Sequence, residues 1–239
     1  QAETTWGLAS LNTWANESLP LDGQRTYSYS KKRVGTGVNV YVIDSGINPH
    51  PTELGDRLTI GPNFSTDRTN DDLANHGTMM ASIIGSRTYG VAKNVHITSI
   101  KVFNQYSVST ADALLRALQW TWKDQATNTK GPKGHLINLS AIFDPSSESV
   151  NNIGPNHSGA NQLIRAAGNT GSDACSYSPM HSLSIFTVMA HNQEKKVPSF
   201  SNTGCSVMAA PGHRIVTWSN AYTKTSGYGT SQAAAFASG

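Results

Sequence analysis

Short apolar runs recur along the chain and predict the strands of a buried sheet. Residues 38–43 (VNVYVI) and 95–102 (VHITSIKV) are rich in β-branched side chains, as buried parallel strands are. Shorter runs at residues 136–139 and 184–189 predict two more strands, and residues 206–209 predict a weaker one. Each run is bounded by Gly, Asn, Ser or Pro, which favour turns.

Between these strands the apolar spacing becomes that of helices. Residues 110–123 (TADALLRALQWTWK) carry one apolar face, and Thr110 has the side chain of an N-cap. The segments that follow His76 and Ser231 are rich in helix formers, and residues 215–218 lead into a small hairpin. The alternation predicts an α/β fold: three layers, with helices on both faces of a doubly wound, mainly parallel sheet.

Composition favours one globular domain and excludes several classes of protein. The 239 residues show no repeat, linker or low-complexity tract, and they suit a single large α/β domain. A net charge of +3 is too small to indicate a nucleic-acid partner. No apolar stretch approaches the roughly 20 residues of a membrane span. The polar start, QAETTWGLAS, is typical of a mature chain without a signal peptide.

Four short motifs place polar residues at strand ends or helix starts. VIDSG puts Asp44 at the end of the first strand, and NHGT puts His76 at the start of a helix. AAGN ends on Asn169, and GTS puts Ser231 at the start of the last helix. The carboxyl edge of an open parallel sheet is where ligands bind, so these side chains are candidates for one site.

These residue types suit nucleophilic catalysis. A serine hydroxyl needs a base beside it, and histidine has the suitable pKa. The histidine needs an anion that fixes its tautomer, and a side-chain amide with a helix N–H can bind an oxyanion. Each motif alone is more often structural, for instance GTS as a helix cap, so only their combination indicates a catalytic site.

The chain resembles the subtilases, and among them the proteinase K subfamily. The likeness covers nearly all of the chain, and its matching segments are WGLA, YVIDSGI, NHGT, SRTYGVAKN, IKVF, AAGN, CSYSP, SFSN, APG and GTS. The chain order of acid, histidine and serine also matches. The resemblance implies a secreted, extracellular serine endopeptidase with Asp44, His76 and Ser231 as its triad and Asn169 as its oxyanion donor. It implies no cofactor for the reaction.

The resemblance also implies how a substrate binds. An extended peptide would add as a β-strand between residues 104–108 and 140–143, and the 166–168 segment would line the pocket for the residue before the scissile bond. The implied substrate-binding residues are Asn104, Tyr106, Ser107, Val108, Ser140, Ala141, Ile142, Ala166, Ala167 and Gly168. We expect protein or peptide substrates, a removed propeptide as a further partner, no nucleic acid or membrane partner, and a monomer.

Only the resemblance indicates whether the two cysteines form a disulfide. Spacing alone leaves two buried thiols and one disulfide as alternatives, because a disulfide needs Cα atoms within about 7 Å. Relatives that have one cysteine before YSP and another shortly after SFSN join them. The resemblance therefore implies a bond between Cys175 and Cys205, and with it an oxidising compartment.

The chain departs from the family pattern at several places. Met79 and Met80 stand where the family has His and Val, Ile142 and Phe143 where it has two glycines, and Ala235 where it has proline. The carboxylate of the family's main calcium site falls at Val207, so we expect no tight calcium and no metal ligands there, while structural calcium elsewhere stays open. The relatives continue beyond the position of Gly239. We expect residues 1–239 to be one catalytic domain without the family's C-terminal segment.

Two other functions were weighed against the peptidase. The departures at residues 142, 143 and 235 favour a subtilase-like module that binds proteins without turnover, whereas the complete triad opposes it. A small-molecule-binding α/β domain would need a glycine-rich phosphate loop after the first strand. The sequence there, DSGINPH, is not such a loop.

Overall fold

Seven parallel strands form the centre of the molecule, in the order β2-β3-β1-β4-β5-β6-β7. The computed structural model describes residues 4–13, 17, 19, 25–30, 32, 34–143, 162–177, 185–205, 208–220 and 222–239. The strands are β1 (Val38–Asp44), β2 (Leu58–Asn63), β3 (His96–Lys101), β4 (Gly134–Leu139), β5 (Gln162–Ala166), β6 (Ile185–His191) and β7 (Met208–Pro211). A separate antiparallel hairpin joins β8 (Ile215–Trp218) to β9 (Lys224–Gly227).

Within the described residues four helices accompany the sheet: α1 (Trp6–Ser10), α2 (His76–Gly85), α3 (Ala111–Gln125) and α4 (Thr230–Ser238). Leu114 and Leu118 of α3 pack with Tyr41 and Ile43 on one face of the sheet. The apolar residues of α2 and α4 pack with Val40 and Val42 on the other face. Successive side chains of a strand point to opposite faces, so the continuous apolar run of β1 serves both layers. The predicted three-layer α/β fold is confirmed.

The strand order reverses beside β1, which pairs in parallel with β3 on one side and β4 on the other. In open α/β sheets a crevice forms at such a reversal, outside the carboxyl ends of the strands. Asp44 is the last residue of β1, Ser140 follows β4, and Asn169 follows β5 by three residues. The topology therefore brings two of the four motifs, VIDSG and AAGN, to one edge together with Ser140.

Three elements were not predicted from the apolar pattern: β2, β5 and α1. β2 is an edge strand whose residues are half-buried or exposed, and its sequence, LTIGPN, shows no clear alternation. The five-residue helix α1 is capped by Thr5, whose side chain accepts a hydrogen bond from the N–H of Leu8. The hairpin expected near residues 215–218 is present. Ser184, Ser206 and Val207, which belong to predicted strands or to the calcium argument, lie outside the described residues.

The predicted disulfide between Cys175 and Cys205 is confirmed, with a Cα–Cα distance of 5.1 Å. It joins a 3₁₀ turn at Ala174–Ser176 to the segment after β6 and encloses a sequence separation of 30 residues. A bond that closes a loop of this size typically adds about 2–4 kcal/mol to the free energy of unfolding.

Among the described residues, no helix is long and apolar enough to cross a membrane.

Candidate active site

Asp44 and His76 form a hydrogen-bonded pair at the carboxyl edge of the sheet. The Asp44 side chain is 1% exposed and the His76 side chain 31% exposed. His76 Nδ1 lies 2.8 Å from Asp44 Oδ1. Because an ionised carboxylate can only accept, this contact places the proton of the neutral ring on Nδ1 and leaves Nε2 as the acceptor. The pair has the geometry of an orienting acid and a general base.

The surroundings raise the pKa of His76 above its usual 6.5. Burial is the largest single influence and by itself lowers this pKa. The charge of Asp44, its hydrogen bond and the charge of Asp72 together outweigh burial. The imidazolium form is therefore stabilised in the site, which suits a base that must hold a proton and then return it.

Ser231 is the second residue of α4, and its side chain lies on the same crevice. Its Oγ donates to the main-chain oxygen of Ser140, at 3.0 Å. Ser140 Oγ in turn lies 3.3 Å from the main-chain oxygen of Ser231, so the end of β4 and the start of α4 are joined twice. The described residues include no hydrogen bond between Ser231 and His76. The hydroxyl thus rests on Ser140, from which rotation of the side chain is needed to reach the ring.

Asn169 is oriented by its neighbours so that its amide nitrogen is available. Its Oδ1 accepts from the N–H of Thr230 at 2.8 Å and from Thr230 Oγ1 at 3.0 Å. Thr230 Oγ1 also accepts from the N–H of Gly168 at 2.9 Å. With the oxygen held in this way, Nδ2 points away as a donor beside the first turn of α4, where helix N–H groups lack partners. This pair of donors has the character of an oxyanion hole.

Asn202 holds the loop that carries Asn169. Its side chain is completely buried, and its Nδ2 donates to the main-chain oxygen of Ala167 at 3.0 Å. Its Oδ1 accepts from the main-chain N–H groups of Thr170 and Ser172. Three residues of the 167–172 loop are thereby fixed by a single side-chain amide. The donor of Asn169 is placed on a rigid support.

A cavity of about 360 Å³ connects these groups. Asp44, His76 and Ser231 line it together with Asn169 and the end of β4. The predicted catalytic and oxyanion residues therefore meet in one crevice. Of the predicted substrate-binding residues, the cavity is lined by Ser107, Ser140, Ala141, Ile142, Ala166 and Gly168. Asn104, Tyr106, Val108 and Ala167 are not among its lining residues.

The 104–108 segment, which is predicted to flank the substrate, forms a turn. Asn104 donates its N–H to the oxygen of Val108, and its Oδ1 accepts from the N–H groups of Tyr106 and Val108. Ser107 has a left-handed φ of 59° and also donates to the oxygen of Asn104. These bonds close a turn in which the N–H groups of Tyr106, Ser107 and Val108 already have partners. The predicted contact of this segment with the substrate stays a prediction.

Ile142 reaches across the crevice. Its Cδ1 lies 2.8 Å from the point where a Cβ on Gly168 would stand. Gly168 has a φ of 107°, so its backbone also disfavours any larger residue. The side chain of Ile142 therefore packs on the backbone of the opposite wall, and the space beside Ser231 is narrow. Phe143 stacks on Phe103 at 6.4 Å between ring centroids, next to the same crevice.

One group of potential metal ligands lies among the described residues, and its chemistry does not suit a cation. It consists of Asp173, Cys175 and Cys205. The cysteines are joined in the disulfide and offer no thiolate. Asp173 already accepts the N–H of Cys175. The expected loss of a calcium carboxylate concerns Val207, which lies outside the described residues, and it stays a prediction.

Several residues of the site were not assigned a role from sequence. Ser45, Asp72 and Thr78 form hydrogen bonds around the start of α2, and Thr230 orients Asn169. Three of them stand inside or beside the motifs DSG, HGT and GTS. Their position in or beside a motif was the sign in the sequence that they belong to the site. Their roles depend on side-chain contacts between residues far apart in the chain, which the sequence does not show.

Comparisons with known proteins agree with this geometry. Residues 35–239 match the family described as Subtilase family. Proteinase T of Parengyodontium album is 34% identical over 227 residues, which are 94% of this chain and 74% of that protein. Alkaline serine exoprotease A of Vibrio alginolyticus is 33% identical, with 90% of this chain and 38% of that protein covered. Subtilisin-like protease 2 of Trichophyton equinum is 34% identical, with coverages of 90% and 51%.

The fold has a similar solved counterpart. A cold adapted subtilisin-like serine proteinase has a TM-score of 0.79 and 31% sequence identity. The alignment covers 99% of this chain and 83% of that one. The prediction of a serine endopeptidase of the subtilisin type is confirmed at the level of relatives and fold. The chain belongs to the subtilase family of serine peptidases.

Proposed function

We propose that the chain hydrolyses internal peptide bonds of proteins through an acyl-enzyme on Ser231. The single observation that carries this is the convergence of the Asp44–His76 pair, Ser231 and the Asn169 amide on one cavity. Each group has the chemical character that its role requires, and the roles complement one another.

Acylation begins when Ser231 Oγ leaves the oxygen of Ser140 and turns towards His76. Nε2 accepts the hydroxyl proton while Oγ attacks the carbonyl carbon of the substrate. The positive ring is stabilised by Asp44 through the Nδ1 contact. His76 then passes the proton to the leaving amine, the C–N bond breaks, and an ester on Ser231 remains.

Deacylation repeats the same steps with water. His76 takes a proton from the water, whose oxygen attacks the ester carbonyl. The proton returns to Ser231 Oγ as the acid product leaves. No cofactor takes part in this sequence, because proton transfer and attack are both performed by side chains of the site.

The oxyanion of each tetrahedral intermediate would be bound by Asn169 Nδ2 and the N–H of Ser231. Thr230 holds the oxygen of the amide, so the nitrogen is oriented before the reaction starts. The partial positive charge at the start of a helix adds to this stabilisation. Fixed donors of this kind stabilise developing charge without reorganisation.

The substrate would lie against the 140–142 and 166–168 segments, which line the cavity on either side of Ser231. The turn at residues 104–108 offers fewer free main-chain groups, so most main-chain pairing would come from the end of β4. Ile142 limits the space for the side chain that precedes the scissile bond. A small residue at that position fits the crevice best.

The setting of the activity is part of the same proposal. The chain would act outside the cell as a monomeric catalytic domain, matured by removal of a propeptide. The disulfide supports an oxidising compartment. Structural calcium, common in subtilases, would be held outside the group formed by Asp173 and the cysteines.

Digestion of an unfolded protein tests the proposal. The chain, Ser231→Ala and His76→Ala are each incubated with reduced, alkylated casein, and the products are identified by mass spectrometry. We expect internal fragments from the parent chain and none above background from either variant. Equal fragments from the parent and Ser231→Ala would contradict the assignment of the nucleophile.

A further inference from the structure

A buried carboxylate that the mechanism above does not use lies next to the catalytic pair. Asp72 is 2% exposed. Its Oδ1 accepts from Ser45 Oγ at 2.7 Å. Its Oδ2 accepts from the N–H of Thr78 at 2.8 Å and from Thr78 Oγ1 at 2.6 Å. All three partners donate, which favours the ionised form of the side chain.

These bonds occupy the place of a helix cap. α2 begins at His76, and its N-cap residue, Asn75, has a left-handed φ of 62° and makes no side-chain capping bond. The N–H groups of the first turn need acceptors from elsewhere. Ser45 Oγ accepts from Gly77 at 2.9 Å, and Asp72 accepts from Thr78. The catalytic helix is thus capped from outside by a serine and a carboxylate.

The same network reaches the catalytic aspartate. The N–H of Ser45 donates to Asp44 Oδ1 at 2.7 Å, the oxygen that also contacts His76. Asn48 fastens the main chain of Asp72, since its Oδ1 accepts from that N–H at 2.9 Å and its Nδ2 donates to that oxygen at 3.0 Å. The end of β1, the loop before α2 and the start of α2 are therefore one hydrogen-bonded unit.

We infer that Asp72 is a positioning residue of the catalytic site, which fixes His76 against Asp44 and whose negative charge stabilises the imidazolium. The inference rests on the proposed role of His76. The charge of Asp72 raises the pKa of His76, and the charge of Asp44 contributes, after burial, to a raised pKa of Asp72. Two carboxylates and one imidazole are therefore electrostatically linked.

Other charged groups face this unit and define its setting. Lys101, at the end of β3, is 1% exposed, donates to the main-chain oxygen of Asp71 at 3.1 Å, and also donates to that of Ser45. Its charge is paired with Asp67 Oδ2 at 3.0 Å. The Asp71 side chain is exposed and accepts from Thr69. Neither α2 nor α4 carries a charged group apart from His76.

Two isosteric substitutions on one loop separate charge from structure. Asp72→Asn removes the buried charge, and Asp71→Asn is the matched control that removes an exposed charge one residue away. The pKa of the His76 ring is measured by NMR of ¹³C-labelled histidine, assigned with His76→Gln, and the acid limb of kcat/KM is recorded for a chromogenic peptide.

We expect Asp72→Asn to lower the pKa of His76, and to move the acid limb to lower pH, by roughly half a unit, since a negative charge has been lost. We expect kcat to fall roughly tenfold because the ring is held less firmly. Asp71→Asn should move neither quantity, because water screens its charge. An unchanged or raised pKa of His76 in folded Asp72→Asn would overturn the inference.

A third variant keeps the test decisive if Asp72→Asn does not fold. Ser45→Ala preserves both charges and removes the link between Asp72 and the N–H of Gly77. Its kcat should fall several-fold while the acid limb stays in place, and an unchanged kcat would overturn the positioning role. The NMR titration requires no turnover. A chain that hydrolyses nothing yet shows the shift in pKa would therefore contradict the proposed function and support the electrostatic role of Asp72.

Discussion

The two halves of the candidate site differ in how completely they are prepared for catalysis. In the acid–base half, formed by the end of β1 and the start of α2, Asp44 and His76 are already in contact and are held by Ser45 and Asp72. In the nucleophile half, formed by the ends of β4 and β5 and the start of α4, Ser231 rests on the oxygen of Ser140. His76 is already placed to act as the base, whereas the side chain of Ser231 must still rotate towards it.

The halves also differ in their agreement with the family pattern. The segments VIDSG and NHGT match the pattern up to Thr78, and the polar network lies within or close to them. Met79 and Met80, which stand where the family has His and Val, follow these segments in the acid–base half, and the departures at residues 142, 143 and 235 fall in the nucleophile half. Of these five residues only Ile142 lines the cavity, so the departures bear more on the space for a substrate than on the Asp44–His76 pair.

The largest fall in activity is expected from a substitution in the acid–base half. Asp44→Asn leaves the volume of the side chain unchanged but removes the charge and favours the wrong tautomer of His76. We expect kcat to fall by about 10⁴-fold, the size known for loss of the acid in such triads. Initial rates on a chromogenic peptide measure it, with circular dichroism as the control for folding. A loss below tenfold would contradict the role of Asp44.

The next effect belongs to the oxyanion donor of the nucleophile half. Asn169→Ala removes the amide that Thr230 orients. We expect kcat to fall by about 10²–10³-fold with little change in KM, because the donor acts in the transition state. Thr127→Ala, at an exposed position after α3 that does not line the cavity, is the control. If the two variants lost equal activity, the amide would have no special role.

The next prediction concerns how Ile142, in the nucleophile half, affects the residue that is preferred before the scissile bond. Ile142→Gly removes the side chain that packs on Gly168 and deepens the crevice. We expect the ratio of kcat/KM for peptides with Phe before the scissile bond to kcat/KM for peptides with Ala there to rise about 10–100-fold. Val197→Gly is a matched control, since Val197 is exposed and does not line the cavity. A parent chain that already prefers Phe over Ala would show that Ile142 does not limit the pocket.

The smallest effect is the dependence on pH near neutrality. His76 must be neutral to accept the proton of Ser231, so activity is present above its pKa and is lost as the pH falls through it. Since this pKa is raised above 6.5, the acid limb of kcat/KM should have its midpoint above that value. A rate profile between about pH 5 and 9 gives the midpoint directly. A midpoint well below 6.5 would mean that burial outweighs the two carboxylates.

The sheet and most helices were predictable because their signals are local. The β-branched run of β1 and the apolar face of α3 follow from burial on one or both sides. The edge strand β2 was missed because partial exposure removes the apolar alternation. The bond between Cys175 and Cys205 could not be derived from spacing and came from the resemblance to a family.

The site was predictable in its residues and less so in its conformations. The four motif residues meet as expected, because strand ends and helix starts converge at one edge of the sheet. The turn at residues 104–108 depends on the side chain of Asn104, which competes with extended structure for the same N–H groups. The role of Asp72 requires contacts with Ser45 and Thr78 that the order of residues does not specify.

Labelling with a fluorophosphonate probe tests the central claim most directly, because it reports the activation of one hydroxyl. The folded chain is treated with the probe, its intact mass is recorded, and the modified residue is mapped by peptide mass spectrometry. The account predicts one adduct, on Ser231, that is lost in His76→Ala. A folded chain that carries no adduct, or one on another residue, would contradict the catalytic assignment of Asp44, His76 and Ser231.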